Sequence, residues 1–288
     1  MRKMLGSLAW LVMSVMLFAT TTAQAGEQRV SRGTYVLQAE LRGNGATTVV
    51  FESGFGQGVD AWKDVIADLG TDCRCIAYAR AGLGKSGTDG KPKTIEAHLA
   101  DLDAVIQTLA PDRKVILVGH SYGGLLATEF ARRHPERLQA LVLVDPATWG
   151  QRQSFMKADR ARVLADDKAL LAMLPPSMGV DYSLLIAQVD SADAAATRAR
   201  PDLPVALLTA TQVADEPFVF EETAQGKSLW KEQHAALFAG FSRGTHRYFA
   251  TGHNIHRENP KAVADAIREM ATSYAAQNGV HDREPGQR

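Results

Sequence analysis

Apolar positions along the chain follow two different periods. Runs rich in β-branched residues recur at residues 33–41, 47–52, 74–78, 114–118, 140–144, 204–209 and 245–250. The first two are short and alternate with polar positions. Arg42-Gly43-Asn44-Gly45 lies between them, so the pattern predicts an antiparallel edge pair joined by a turn. The later runs are continuously apolar, as expected of strands buried on both faces of a parallel sheet. Helical spacing fills the intervals at 59–69, 94–109, 122–134 and 260–275. In 94–109, Ile95, Leu99, Leu102, Val105, Ile106 and Leu109 form one stripe. Thr94 is placed to cap that helix, although Ala97 stands where a full capping box has an acid or amide. Pro260 suits a first helical turn.

Alternation of strand and helix predicts right-handed crossovers and an α/β fold with a doubly wound, mostly parallel sheet. The rhythm breaks between Thr148 and Pro201. Helical stretches at 151–164, 167–174 and 182–189 occur there, with Pro175-Pro176 between them and no strand pattern. The expected organisation is a core in two parts, 26–147 and 201–276, with a helical cap at 148–200. A polar tail, 277–288, follows, and no internal repeat is visible.

The first 25 residues fit neither period. Arg2 and Lys3 precede an apolar run from Met4 to Ala19, which ends on Ala23-Gln24-Ala25. A basic start, a short apolar stretch and a small-x-small site read as a secretory signal peptide. The run is shorter than the roughly 20 residues a bilayer span needs. The expectation is export to the periplasm or medium, with no stable membrane insertion after cleavage. Lys plus Arg and Asp plus Glu both number 32, for a formal net charge of zero. Neither nucleic acid nor an anionic membrane is implied as a partner. In an oxidising compartment Cys73 and Cys75 could pair. At i, i+2 on a strand their Cα atoms would lie about 6.6 Å apart, at the outer edge of disulfide geometry. Two buried thiols is the favoured reading, and a metal would need further ligands.

The chemistry centres on Gly119-His120-Ser121-Tyr122-Gly123, set between the run at 114–118 and the helical stretch that follows. G-x-S-x-G at a strand-to-helix turn is a nucleophile elbow. The turn is tight, so Gly119 and Gly123 leave room for the helix, and the Ser121 hydroxyl stands at the C-terminal edge of the sheet, where such folds bind ligands. Gly82-Leu83-Gly84-Lys85-Ser86-Gly87 imitates both a dinucleotide and a phosphate-binding loop. It lacks the strand-end acid of the first and has Ala79 where the second needs glycine. No nucleotide, metal or other cofactor is expected.

With these motifs the chain resembles the α/β-hydrolase superfamily. The resemblance rests on Ser53-Gly54-Phe55-Gly56, Arg80-Ala81-Gly82-Leu83-Gly84-Lys85-Ser86, the elbow, and Gly252-His253, in the family's order. The chain departs from it at Ser53, where many members have His, and at Ala79 and Ala81, where Asp and Pro are frequent. The resemblance implies a serine hydrolase with Ser121 as nucleophile and His253 as general base. His256 is the nearby rival. For the acid, most members use the position after the strand at 204–209, where Asp215 stands without the usual Gly-x-x-Asp. Others use the preceding strand, whose tip carries Asp145. Asp145 is favoured, Asp215 is the rival and Asp202 a distant third. The oxyanion hole would be the backbone N–H groups of Phe55 and Tyr122. His120 would shape the pocket; His98, His134 and His234 read as surface or helix-end residues. Phe155, Met156, Met173, Leu174, Met178 and Tyr182 suggest an apolar pocket under the cap, with cap-to-core packing the competing account of most of them. The expected reaction is hydrolysis of a small or medium ester, lactone or amide. Other chemistries of the fold (C–C hydrolysis, hydroxynitrile cleavage, perhydrolysis) and non-catalytic ligand binding remain alternatives.

Overall fold

The runs at 74–78, 114–118, 140–144 and 204–209 do become inner strands of a sheet, and their alternate residues face two separate cores; the run at 245–250, expected to be buried on both faces, lies instead on an edge strand with no buried residue. A computed structural model describes residues 26–192 and 201–278. The strands are β1 (Gly26–Ser31), β2 (Val36–Arg42), β3 (Thr47–Glu52), β4 (Cys73–Tyr78), β5 (Val115–His120), β6 (Leu138–Val144), β7 (Pro204–Ala210) and β8 (Arg243–Phe249). They form one sheet in the order β1-β2-β4-β3-β5-β6-β7-β8. β1 and β2 pair antiparallel, as do β2 and β4, and every pairing from β4 to β8 is parallel. Val50, Leu117 and Leu143 face one core with α2 (Ile95–Leu109) and α3 (Tyr122–Arg133). Val49, Phe51, Ile116, Val118 and Val144 face the other, with α1 (Lys63–Leu69) and α8 (Pro260–Asn278). Burial on both faces removes the polar alternation, which is why these strands read as unbroken apolar runs.

The edge differs from the expectation. The stretch at 47–52 is not half of an antiparallel edge pair. It is the central strand β3, parallel to β4 and β5. The edge hairpin is instead β1 with β2. β1 (GEQRVS) has one buried residue, Val30, so it carries almost no apolar signature. The helical stretches expected at 151–164 and 167–174 are α4 (Gln151–Met173), two helical segments that meet at a kink at Asp159 (φ −152°, ψ 84°) rather than near residue 165. α5 (Pro176–Ser191) follows, with proline at its first turn. These helices lie between β6 and β7, where the cap is expected; residues 193–200 of that segment lie outside the described residues. α6 (Ala224–Ala239) and the short α7 (Ile255–Glu258) complete the elements. Thr94 caps α2, its side chain accepting from Ala97 N–H. Residues 1–25, where a signal peptide is expected, and residues 279–288 of the tail lie outside the described residues; residues 277 and 278 end α8. Cys73 and Cys75 are free and buried on the same face of β4, and burial pushes the Cys75 thiol up to about 12. No helix among the described residues is long and apolar enough to cross a membrane.

Candidate active site

Ser121 sits between β5 and α3 at φ 52°, ψ −122°. A non-glycine residue pays strain for that conformation, and its surroundings impose it. A Cβ on Gly119 would lie 2.5 Å from the Gly123 carbonyl oxygen. One on Gly123 would lie 2.5 Å from that of Ser53 and closer still to that of Glu52. No side chain fits at either position, so helix and strand meet at van der Waals contact and the serine between them is thrust out of line. Its carbonyl oxygen accepts from the N–H groups of Gly124 and Ala147. In a trans peptide the N–H points opposite to the preceding C=O, so the Tyr122 N–H is turned away from the helix.

A similar arrangement aims Phe55. The guanidinium of Arg80 donates to the carbonyl oxygens of Ser53 and Gly54, and to the carboxylate of Glu52. Tyr78 donates to the other oxygen of Glu52. With the Gly54 carbonyl tied to Arg80, the Phe55 N–H is turned to the opposite side. Arg80 and Glu52 are both buried, and separating them would leave an uncompensated charge. Arg80 belongs to a motif legible in the sequence, but its hold on a loop 26 residues earlier was not.

Asp145 directly follows β6 at φ 45° and is fully buried. Its Oδ1 accepts from Ala210 N–H at 2.8 Å and from the Trp230 indole at 2.7 Å. Its Oδ2 lies 2.6 Å from His253 Nδ1. Burial alone would raise its pKa; the hydrogen bond and charge of His253, then the nearby His234 and the Trp230 donor, hold it below the ordinary value. Asp215, by contrast, is exposed beyond the end of β7. Asp202 is exposed at the opposite, N-terminal end of that strand, bonded to Ser242. Asp145 is thus the candidate acid that meets His253.

His253 lies in the loop after β8 with 27% of its side chain exposed. His120, next to Ser121 in the chain, donates from Nε2 to the His253 carbonyl oxygen at 3.0 Å. The two rings are 4.7 Å apart, and His120 Nδ1 faces the Gln57 side chain at 3.2 Å. Gln57 in turn donates to Asn254. His120 therefore joins the elbow, the loop after β3 and the histidine loop. His256 is buried behind, its ring packed at a tilt against Trp62 and His120, and burial depresses its pKa to about 3. Two other expectations for histidines fail. His98 is buried and its Nδ1 lies 2.8 Å from the Tyr122 hydroxyl. His234 is buried between Thr209 and the Pro146 carbonyl. Both sit on the inner faces of their helices, which single polar residues in an apolar stripe do not reveal.

A cavity of about 290 Å³ opens over Ser121. Tyr182, Leu185, Ile186 and Val189 of α5 line it at i, i+3, i+4 and i+7, facing Val163 and Leu170 of α4, with Phe55 and Tyr122 at its floor. Of the six residues expected there, only Phe155 and Tyr182 are in the lining. Met173 is 70% exposed, Met156 packs beside Phe155 and Trp230, and Met178 sits over Gly56. The helical phase of α4 and α5 decides this, and the apolar pattern of 148–200 alone does not fix that phase. Arg152 also borders the cavity, but its guanidinium is taken up by Asp167 and Asp190. Glu221, on the 3₁₀ turn Phe220–Glu222, reaches the cavity wall beside His253. Among the described residues, Asp145, Glu221 and His253 hold ligand-type atoms within 4.8 Å of one another. The His253–Asp145 hydrogen bond and the Lys227 ammonium on Glu221, at 2.8 Å, already occupy those atoms.

A family model for the α/β-hydrolase fold matches residues 47–187. A (lyso)-N-acylphosphatidylethanolamine lipase of Bos taurus is 33% identical over 120 residues, 41% of this chain and 34% of that protein. The matching stretch spans less than half the length of the curated relatives it is similar to. A hydrolase of Pseudomonas aeruginosa superposes with a TM-score of 0.63 at 17% identity, covering 85% of this chain and 98% of that one. An enol-lactonase of Burkholderia xenovorans gives 0.60 at 20%, covering 85% and 100%.

Proposed function

The chain belongs to the α/β-hydrolase superfamily, and from that premise we propose that it is a serine hydrolase acting through an acyl-enzyme on Ser121. The observation that carries this reading is the 2.6 Å contact between His253 Nδ1 and Asp145 Oδ2, on a loop whose His253 carbonyl is bonded by His120, the chain neighbour of a serine held at φ 52°. Asp145 fixes the tautomer in which Nδ1 carries the proton, leaving Nε2 to accept one. Ser121 gives up its proton to His253 as its oxygen attacks the substrate carbonyl. The N–H groups of Phe55 and Tyr122 receive the developing oxyanion. The imidazolium returns the proton to the leaving group. His253 then activates water to release the acid.

The cavity favours a neutral, largely apolar acyl group. Leu170, Leu185, Ile186 and Val189 supply apolar wall, and the charges at its rim are paired with one another. At ~30 Å³ per water-sized group, its volume suits on the order of ten heavy atoms, so a small or medium ester, lactone or amide is the proposed substrate. The helices α4 and α5 act as the cap that selects it. An exported enzyme would meet such substrates outside the cytoplasm, as the sequence of residues 1–25 suggests.

Ser121→Ala tests the reading. Turnover of a medium-chain aryl ester is expected to fall by about 10⁵–10⁶, together with loss of labelling by a fluorophosphonate. Near-normal turnover by the alanine variant would remove the nucleophile and the proposal with it.

A further inference from the structure

Asp145 is not the only anion facing His253. Glu221 Oε1 lies 3.8 Å from His253 Nδ1, with the Glu221 side chain 14% exposed. That is too far to compete for the proton Nδ1 shares with Asp145 at 2.6 Å. It is near enough for a charge in a half-excluded site to act strongly. The same Oε1 accepts from Lys227 Nζ at 2.8 Å, and the Lys227 side chain is 3% exposed. Lys227 lies 5.9 Å from the Trp230 ring centre, and Trp230 donates to Asp145. Glu221, Lys227, Trp230 and Asp145 therefore form a chain of contacts that begins and ends at the imidazole. The acyl-transfer scheme above uses Asp145 and leaves the Glu221–Lys227 pair without a task. Burying such a pair costs desolvation energy that its mutual attraction repays only in part.

We propose that Glu221, tethered by Lys227, is a positioning residue that acts on His253 as a second anion and sets the pH at which the imidazole becomes available as a base. This rests on the serine-hydrolase reading for its consequence in turnover, but not for the titration itself. Burial pulls the His253 pKa down. The Glu221 carboxylate, then the hydrogen bond and charge of Asp145, override it and raise the value to about 9, with Lys227 opposing. The other titratable or charged groups around the ring are His120 on β5, His234 on α6, and His256 and Arg257 on α7. Burial holds the three histidines below their ordinary values, so they are neutral where His253 titrates. Glu221 and Asp145 are then the anions that favour the imidazolium.

The test is an NMR titration of the His253 imidazole in the intact protein and in Glu221→Gln. The midpoint is expected to fall by at least about one pH unit, a tenfold change in proton affinity. Because that variant strands the Lys227 ammonium, the double variant Glu221→Gln, Lys227→Met is titrated beside it; its midpoint also falls, by less. A midpoint within about 0.3 unit of the parent's in both variants overturns the proposal. The pH dependence of fluorophosphonate labelling at Ser121 is followed in parallel, and its acid limb moves down with the imidazole. If Ser121 is never labelled the hydrolase reading fails, while the imidazole titration still decides the role of Glu221.

Discussion

Asp145 combines a left-handed backbone at φ 45°, full burial and three donors converging on its two oxygens. Each feature alone has a structural use; together they hold a carboxylate at the back of His253. Asp145→Asn keeps the shape but offers Nδ1 an amide, which favours the wrong tautomer. A loss of about 10⁴ in kcat is expected. Asp215→Asn, at an exposed position, is expected to leave kcat within twofold, about 0.4 kcal/mol on the barrier. Steady-state kinetics of both variants on one ester checks this, and the opposite ranking would shift the acid role to Asp215. Ser121, Asp145 and His253 were all visible in the sequence as types at strand ends. The contacts made by Trp230, Glu221 and Arg80 were not, because each acts across 26 or more residues of chain through a distance no local pattern encodes.

The inner strands that frame the site were legible through their burial. β5, β6 and β7 are buried along nearly their whole length and read at once as parallel strands. β1 is mostly polar and α6 mixes apolar and polar residues without a strong stripe, and neither was predicted. The elbow is the element where a local rule is most exacting. Gly123→Ala would drive a methyl group into the Glu52 and Ser53 carbonyls, forcing α3 away from β3. A destabilisation of roughly 3 kcal/mol is expected, the upper end of the usual overpacking range. Gly58→Ala meets nothing within 4 Å and has a negative φ, so a change within about 0.5 kcal/mol is expected. Urea denaturation of the two variants separates them; equal costs would mean that the elbow relaxes around the added methyl.

Over the molecule as a whole, the histidines make stability depend on pH in both directions. Five of them, His98, His120, His234, His246 and His256, have pKa values lowered, chiefly by burial. The unfolded chain binds their protons more readily, so each contributes stability that is present above about 6.5 and lost as pH falls below it. His253 has the opposite sign, being raised to about 9. Its contribution is present below about 6.5 and fades as pH climbs towards 9. Tm measured from pH 4 to 10 is expected to peak near neutrality and to fall more steeply on the acid side, where five groups act against one. A Tm that rises steadily into acid would contradict the neutral burial of these rings.

Before any coordinates, the chain already determined its fold class and the elbow, because both rest on local rules. Burial on two faces writes itself as unbroken apolar strands, and a strained serine demands small neighbours at Gly119 and Gly123. What only the tertiary structure decided is everything that depends on which distant side chains meet. It placed 47–52 at the centre of the sheet, set Asp145 rather than Asp215 against His253, turned one face of α5 to the cavity and brought Glu221 to the imidazole. Hydrogen bonds and charges act over a few ångströms of space, and sequence separation carries no measure of that.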